Sequence, residues 1–240
     1  ENEERTRKLS ANESFYLKSF GENLDDILAD SRFKNYQKEC FHFAGISSAV
    51  ECQNNPNSAY KGNVLLTLDV LEYCRLIGVN KFIFPSTGYV YGNHLDEPAG
   101  EMNRLISTNV YTSTKIAAEA LIESYSNYYD MDCTVGRISN VFGRESSIET
   151  ISGKIINCIN KKKKVVLNTL KPVRDFIYID DVINAFLTIS TDNKENMCSY
   201  YNISTGSPTS INSLAETACR MASLPLSYVV SKKIRQYSDT

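Results

Sequence analysis

Three short, mostly apolar runs separated by longer segments with helical spacing are the feature of this sequence that most constrains its fold. The runs lie at Cys40 to Ala44, Lys81 to Pro85 and Cys133 to Ile138. Apolar runs of this length without alternation are typical of strands buried on both faces of a parallel sheet. Helical patterns lie between them, from Ser58 to Ile77 and from Asn109 to Tyr128. This alternation predicts an α/β protein with a doubly wound parallel sheet.

Weaker patterns flank these runs on both sides. Ser14 to Phe20 predicts a short strand, and Asn23 to Asn35 predicts a helix that Asn23 caps. Beyond Asn140 the predicted elements become shorter and mixed, which indicates a smaller lobe beside the sheet. These elements are helices near 148–160, 180–189 and 212–222 and strands at 165–167, 176–179 and 200–203. Asp180 and Asp181 are expected to cap the second of these helices.

Charge and cysteine usage exclude several kinds of protein. The chain of 240 residues has a formal net charge of −2 and no clustered basic excess, so we expect no nucleic-acid partner and no anionic membrane surface. Its seven cysteines form no C-x-x-C pair and have no histidine at ligand spacing, which predicts reduced thiols, no metal site and a cytoplasmic location. No apolar run approaches the ~20 residues that span a bilayer. The lysines at 161–164 are expected to form a solvated turn.

A tyrosine and a lysine stand four residues apart in the second helical segment. This spacing places Tyr111 and Lys115 on one face of a helix, one turn apart. An ammonium beside a phenol favours the phenolate and lowers its pKa, so the pair is a candidate general acid and base. The same spacing also suits a half-buried ring beside a solvated lysine stem. His42, inside the first apolar run, is expected to be a core histidine.

Six sequence motifs, taken in chain order, together resemble those of a known protein family. They are FHFAG at 41–45, FPSTGYVYG at 84–92, YTSTK at 111–115, RISNVFG at 137–143, VRDFIYIDD at 173–181 and YNISTGSPTSI at 201–211. Together they resemble the extended short-chain dehydrogenase/reductases, and within them the NAD-dependent nucleotide-sugar epimerase/dehydratase family. The resemblance implies a Rossmann-like domain over residues 1–140 and a mainly substrate-binding lobe over 141–240, part of which returns to the sheet.

The resemblance also implies the roles of individual residues. Tyr111 matches the catalytic tyrosine, Lys115 the lysine that assists it and holds the nicotinamide ribose, and Thr87 the residue that bonds the reacting sugar hydroxyl. The cofactor is then NAD, with NADP as the alternative. Positions implied to line the cofactor are Ala44, Gly45, Asn63, Ser86, Tyr111 and Lys115.

The implied substrate is a nucleoside diphosphate sugar. Thr87 and Asn140 match residues that contact it, and Arg174 matches the arginine that grips the diphosphate. A planar guanidinium suits that task because it gives paired, charge-assisted hydrogen bonds to phosphate oxygens. A surface ion pair of Arg174 with Asp175 or Asp180 is the alternative.

Two departures from the family pattern affect the expected activity. No Gly-rich G-x-x-G-x-x-G turn precedes Phe41, and we expect the family's C-terminal segment to be cut off soon after Val230. We therefore expect these 240 residues to be part of a longer protein, poorly stable in isolation and without a competent cofactor site. The 4,6-dehydratases carry an Asp-Glu pair directly after the catalytic threonine, whereas this chain has Gly88 and Tyr89. Elimination of water is therefore disfavoured.

The expected activity is NAD(P)-dependent epimerisation of a nucleoside diphosphate sugar, at C4 of the sugar, by transient hydride transfer with Tyr111 as acid and base. A nucleotide-sugar or carbonyl reductase is one alternative, which net consumption of NAD(P)H would reveal. A non-catalytic family member that acts through protein contacts is the other. The resemblance further implies a homodimer through the helices after Asn57 and around Tyr111.

Overall fold

The chain divides into two compact units, residues 1–37 and 38–240. The computed structural model describes residues 37–92, 98–192 and 198–232. The strand predicted at Ser14 to Phe20 and the helix predicted at Asn23 to Asn35 lie outside these ranges. The predicted lobe boundary at residue 140 stays a prediction.

The described elements alternate between strands and helices along the chain. The strands are β1 (Glu39–Phe41), β2 (Lys81–Thr87), β3 (Asp132–Ile138), β4 (Asn140–Phe142), β5 (Val165–Leu167), β6 (Val173–Tyr178), β7 (Ser199–Ile203), β8 (Pro208–Ser210) and β9 (Val229–Ser231). The α-helices are α1 (Ala49–Asn54), α2 (Pro56–Tyr60), α3 (Leu66–Leu76), α4 (Val110–Tyr129), α5 (Ile151–Asn160), α6 (Ile179–Ser190) and α7 (Ile211–Met221). A π-helical turn (Lys61–Leu65) joins α2 to α3, and 3₁₀ turns lie at Gly88–Tyr91 and Leu226–Tyr228.

A parallel sheet with the order β1-β2-β3-β7 positions everything else. The pairing of β2 with β3 is the longest, from Lys81 beside Asp132 to Thr87 beside Ile138. All four strands therefore end at the same edge of the sheet, which is the edge where open α/β sheets bind ligands. The predicted α/β class with a parallel sheet is confirmed.

Helices cover both faces of this sheet. Phe82 and Phe84 of β2 pack with Leu71 of α3 and Ile122 of α4. Ile83 points to the other face and joins a second core with α6. Successive side chains of a strand alternate between faces, so both faces of β2 are buried, as its unbroken apolar run predicts.

The C-terminal half adds two smaller sheets. Strands β4, β6 and β8 form one of them, in which β4 and β6 are parallel and β8 is antiparallel to β6, and β5 pairs with β9 in the other. A third apolar cluster unites α5, β5 and α7. Strands β4, β8 and β9 were not predicted, because each is three residues long and contains a polar residue or a proline, unlike the wholly apolar β5.

Several predicted boundaries shift for identifiable reasons. The strand predicted to reach Ala44 leaves the ladder after Phe41, because the amide of Phe43 turns back to the Phe41 carbonyl at 3.2 Å. The helix predicted from Ser58 begins at Pro56 and includes the π-helical turn, but it ends as predicted before Gly78, whose φ is +66°. Asp180 and Asp181 lie in the first turn of α6 and do not cap it, since the N-cap residue is Tyr178.

The other elements follow their predictions within a few residues. Among the described residues, no helix combines the length and the apolar character needed to cross a bilayer.

A buried lysine fixes the end of α6 to the sheet. Lys81 begins β2 and is only 4% exposed. Its ammonium donates to the carbonyl of Ser190 at 3.0 Å and to that of Asp192, and it lies 3.3 Å from the carboxylate of Asp132. The last carbonyls of a helix have no partner within the helix, and a cation there also complements the helix dipole.

We expect Lys81→Met to lower the free energy of unfolding by about 1–3 kcal/mol, because Met keeps the aliphatic stem but leaves buried carbonyls without a donor. Urea denaturation followed by circular dichroism measures the change. Lys164→Met, at an exposed position, is the matched control and should stay within ~0.5 kcal/mol of wild type. Equal losses in the two variants would contradict the capping role.

Candidate active site

The helix that carries Tyr111 and Lys115 starts at a defined residue. Asn109 and Thr112 form a capping box, in which the Thr112 amide donates to Asn109 Oδ1 at 2.9 Å and the Asn109 amide donates to Thr112 Oγ1 at 3.1 Å. This cap fixes where α4 begins and therefore which face its side chains occupy. Tyr111 lies in the first turn and Lys115 one turn later on the same face.

Tyr111 and Thr87 meet at the carboxyl edge of the sheet. Thr87 is the last residue of β2, and its side chain lies close enough to the Tyr111 phenol to act on the pKa of that phenol, which it lowers. The Thr87 hydroxyl also accepts from the backbone amide of Tyr89 at 3.3 Å. A hydroxyl held beside a phenol can donate to or accept from an oxygen placed between them.

Burial raises the pKa of Tyr111 to about 12, while the hydrogen bond with Thr87 acts in the opposite direction. The sequence predicts a pKa lowered by Lys115, so the structure differs from that expectation. The physical reason is the burial of the phenol itself, which disfavours its charged form. Tyr111 therefore carries its proton at neutral pH in this structure.

Lys115 is held against the backbone of β2. Its ammonium donates to the carbonyl of Pro85 at 2.8 Å and lies 4.4 Å from the centre of the Phe84 ring. Burial lowers the pKa of Lys115 to about 8, although the charge of Glu119 acts to raise it. The lysine therefore remains mostly protonated at pH 7.

Ala44 and Gly45 lie exposed in the loop that follows β1. The φ of Gly45 is +150°, and a Cβ atom there would lie 2.8 Å from Oδ1 of Asn63. Any larger residue would be strained and would also collide with that amide. The backbone at Ala44 and Gly45 is therefore exposed to solvent on one side and packed against Asn63 on the other. An exposed backbone without large side chains allows a large ligand to approach closely.

The structure gives Asn63 a different task from the predicted cofactor contact. Its Oδ1 accepts from the amide of Ile46 at 2.6 Å, and its Nδ2 donates to the Ile46 carbonyl and to Thr114 Oγ1, both at 3.0 Å. These bonds use the whole amide of a side chain that is 3% exposed. Asn63 thus shapes the loop after β1 and ties it to α4, and a direct cofactor contact stays a prediction.

Ser86 also has an internal partner. Its hydroxyl donates to the carboxylate of Glu119, which is buried on α4. A cofactor contact by the Ser86 side chain would have to replace that bond, so this role too stays a prediction. Glu119 was missed in the sequence, although its position four residues after Lys115 places it on the same face of the helix.

His42 is a core histidine, as predicted. Its Nε2 lies 3.0 Å from the Thr67 hydroxyl, and that hydroxyl donates to the Asn63 carbonyl at 2.6 Å. The hydroxyl proton is thereby used, so Nε2 is the donor in the first bond. Burial, reinforced by the charge of Lys115, lowers the pKa of His42 to about 4.

A cleft of about 310 Å³ lies beside Tyr89, two residues after Thr87. Asn140 and Arg174, two residues predicted to bind substrate, both line it. So do Tyr89, Lys154 and an apolar set consisting of Ile151, Leu167, Pro172, Phe176 and Ile211. The cleft brings together β4, β6 and α5, which are far apart in the sequence.

The structure argues against the alternative in which Arg174 forms a surface ion pair. Within the described residues, Arg174 makes one hydrogen bond, from Nη1 to the carbonyl of Val173 at 2.7 Å, and no ion pair. The Asp175 carboxylate accepts from Ser139 Oγ at 2.9 Å and from the amides of Thr205 and Ser207 at 3.0 Å. Burial alone would raise the pKa of Asp175, but these bonds outweigh it and lower the pKa.

Tyr89 connects the cleft to the catalytic group. Its amide donates to Thr87, and its hydroxyl donates to Asn140 Oδ1 at 2.7 Å, while Asn140 Nδ2 donates to the Asp175 carbonyl at 3.1 Å. Tyr89 and Lys154 were missed as site residues. A lysine on the otherwise apolar opening turns of α5 was the available signal for Lys154.

The fold is that of the Rossmann-type nucleotide-sugar enzymes. UDP-glucose 4-epimerase from Thermotoga maritima, solved with UDP-glucose, matches 93% of this chain and 72% of its own with a TM-score of 0.76 and 27% identity. UDP-glucuronic acid 4-epimerase from Bacillus cereus, solved with UDP-glucuronic acid and NAD, matches 99% of this chain and 80% of its own with a TM-score of 0.80 and 21% identity.

Sequence comparison identifies the family. The model of the NAD dependent epimerase/dehydratase family matches residues 22–204, and the chain belongs to this family. A dTDP-D-glucose 4,6-dehydratase from Dictyostelium discoideum is 30% identical over 198 residues, which are 77% of this chain and 45% of that protein. The chain thus spans less than half the length of this relative.

We expect stability to fall as the pH drops from about 6.5 towards 4, in part because of His42. Its pKa in the folded protein is about 4 against an ordinary value near 6.5, so the unfolded state binds the extra proton first. The contribution is present above pH 6.5 and is lost through this window. Urea unfolding between pH 8 and 4.5 should therefore show a shallower loss for His42→Gln than for wild type. Parallel pH profiles would contradict the assignment.

Proposed function

We propose that the protein catalyses the NAD-dependent epimerisation of a nucleoside diphosphate sugar at C4. The observation that carries this proposal is the cleft, whose lining contains two cations, Arg174 and Lys154, an apolar wall, and Tyr89, which lies two residues after Thr87. The membership of the NAD-dependent family supports the cofactor, and the C4 epimerases among its structural neighbours support the reaction class.

The charge of the cleft suits a diphosphate. Arg174 and Lys154 line it, and among the described residues its lining contains no carboxylate. A guanidinium fork and an ammonium give charge-assisted hydrogen bonds to phosphate oxygens. The apolar residues Leu167, Phe176 and Ile211 offer a surface for a base.

The hydrogen bond between Tyr89 and Asn140 supports a position for the sugar in the proposed complex. A nucleotide seated on Arg174 would extend its sugar past the Tyr89–Asn140 hydrogen bond towards Thr87 and Tyr111. The same small set of side chains would then hold the diphosphate and the reacting hydroxyl at a fixed separation. Such positioning is a large part of catalysis when reacting groups are held in contact.

The residues present fit a dinucleotide. The bare backbone at Ala44 and Gly45 leaves room for a close approach, and Lys115 and Tyr111 lie at the same edge of the sheet. In the proposed complex, NAD supplies reversible hydride transfer at the sugar carbon. The ammonium of Lys115 would hold the ribose hydroxyls, a task for which its proton must be present.

The proton chemistry falls to Tyr111 and Thr87. Tyr111 exchanges a proton with the C4 oxygen of the sugar, and Thr87 holds that oxygen through its hydroxyl. Because the pKa of Tyr111 is about 12, its phenolate form is scarcely populated at neutral pH. The positive charges near it in the complex must therefore stabilise the phenolate. The phenolate is regenerated when Tyr111 returns that proton to the C4 oxygen.

The residues after Thr87 favour epimerisation over elimination. Gly88 and Tyr89 occupy the positions where the family's 4,6-dehydratases carry Asp and Glu. Neither residue supplies a carboxylate, and none lines the described part of the cleft. The similarity to a 4,6-dehydratase therefore supports the redox step at C4. It does not support the elimination of water that would follow in a dehydratase.

A panel of UDP- and dTDP-linked hexoses and uronates, incubated with the purified protein and substoichiometric NAD or NADP, tests the proposal. Nuclear magnetic resonance of the products distinguishes a C4 epimer from a 4-keto-6-deoxy sugar. In a parallel assay supplied with NAD(P)H, continuous oxidation of that cofactor in proportion to product would identify a reductase. Absence of any product with every sugar nucleotide, from a protein that calorimetric titration shows to bind NAD or NADP, would refute the proposal.

We expect Tyr111→Phe to lower kcat at least 100-fold while NAD affinity changes little, because only the ionisable oxygen is removed. Steady-state kinetics and calorimetric titration with NAD measure the two effects. Tyr128→Phe makes the same change at a position on α4 that is 80% exposed, and it should behave as wild type. A near-normal kcat for Tyr111→Phe would show that another group carries the proton.

We expect Arg174→Ala to raise KM for the nucleotide sugar about tenfold to a hundredfold, since a charge-assisted contact contributes roughly 1.5–3 kcal/mol. The diphosphate is bound alike in the ground and transition states, so kcat should change much less. Arg220→Ala is the matched control, because Arg220 pairs with Glu216 at 2.9 Å on α7. An unchanged KM for Arg174→Ala would remove the diphosphate role.

A further inference from the structure

The face of α4 that carries the catalytic residues continues to a buried acid. Tyr111, Lys115 and Glu119 succeed one another at intervals of four residues. Each of them bonds to one of the last three residues of β2. The contacts run from Tyr111 to the Thr87 side chain, from Lys115 to the Pro85 carbonyl and from Glu119 to the Ser86 hydroxyl.

Glu119 is paired with an arginine from the neighbouring strand. Glu119 is 2% exposed and Arg137 4% exposed, and Arg137 Nη2 lies 2.7 Å from Glu119 Oε2. Arg137 Nε donates to the same oxygen at 3.2 Å. Arg137 stands beside Ser86 in the register of β2 and β3, so the carboxylate lies under both strand ends.

The other branch of Arg137 holds the turn that follows Thr87. Its Nη1 donates to the Tyr91 hydroxyl at 2.9 Å and to the Glu101 carbonyl at 2.7 Å. Tyr91 closes the 3₁₀ turn that begins directly after Thr87. The ion pair therefore fixes Ser86 on one side of Thr87 and Tyr91 on the other.

Stability alone is a weak explanation for such a pair. Desolvating two charges costs several kcal/mol, and apolar residues of similar volume often replace a buried pair at no loss or with a gain. What an apolar pair cannot do is give directed hydrogen bonds to Ser86 and Tyr91 at the same time. The geometry of this pair thus indicates that its role is to align Ser86 and Tyr91.

We infer that Glu119 is a positioning residue of the active site: together with Arg137 it fixes both flanks of Thr87 against the turn of α4 that carries Lys115. The roles of Thr87 and Lys115 rest on the proposed function, whereas the contacts of Glu119 do not. The inference therefore has a test that needs no turnover.

The test uses the charge of Glu119, which acts on Lys115 from the next turn of α4 and opposes the effect of burial. Other groups also face the ammonium of Lys115. They are Tyr111 on the same helix, Cys52 on α1, His42 after β1, and the Pro85 carbonyl and Phe84 ring of β2. Among these described groups only Glu119 is a carboxylate, so its neutralisation has a defined sign.

The experiment is to measure the pH dependence of Lys115 acetylation by trace acetic anhydride, with mass spectrometry of the peptide that contains it. The midpoint in wild type should lie near pH 8. Glu119→Gln keeps the shape but removes the charge, and it should lower the midpoint by about one pH unit, a tenfold change in the acid constant. Glu123→Gln, one turn further along α4 and exposed, should leave it unchanged.

Glu119→Gln leaves Arg137 without its partner and could unfold the protein, so a second variant removes both charges. Glu119→Leu with Arg137→Met should fold and should lower the Lys115 midpoint in the same direction. Where turnover is present, both variants should lower kcat at least tenfold with little change in KM. A folded double variant with the wild-type midpoint and wild-type kcat overturns the inference. Absence of turnover in the wild-type protein would refute the proposed function but would leave the positioning role of Glu119 intact.

Discussion

The contact between α4 and the carboxyl end of β2 is the constraint on which the candidate site depends. Tyr111 and Lys115 can meet a ligand only because their helix lies across the ends of parallel strands. The long pairing of β2 with β3 keeps those ends level, and the capping box at Asn109 sets the rotation of the helix. The local sequence at the start of α4 and the geometry of the sheet thus together determine the positions of the Tyr111 and Lys115 side chains.

Much of this arrangement is readable in the sequence because it follows from periodicity. The run from Lys81 to Pro85 indicates a strand buried on both faces, and the structure buries Phe82 and Ile83 in different cores. The four-residue spacing of Tyr111 and Lys115 places them on one helix face, which they share in the structure. Motif order then implies that Asn140 and Arg174 belong to one site, and both line the same cleft.

The features of the site that the sequence did not predict depend on contacts between residues distant in the sequence and on burial. Nothing near Glu119 indicates that Arg137, 18 residues later, will neutralise it under the ends of two strands. The amide of Asn63 looks free for a ligand until the fold brings Ile46 to it. The pKa of Tyr111 is a further case, because desolvation raises it by more than neighbouring groups lower it.

The π-helical turn between α2 and α3 places a constraint on chain length. Asn63, which clamps Ile46, lies within it, and Tyr60, whose hydroxyl lies 2.6 Å from the Ser113 hydroxyl, directly precedes it. Such a turn is wider than a regular α-helical turn. A π-helical turn takes up one residue more than a regular α-helical turn, so deleting one residue within it would restore a regular helix and change which residue stands in the place of Asn63. The spacing between Pro56 and Leu66 is therefore as restricted as the identity of the residues, and insertions or deletions in this helical segment would separate the loop after β1 from α4.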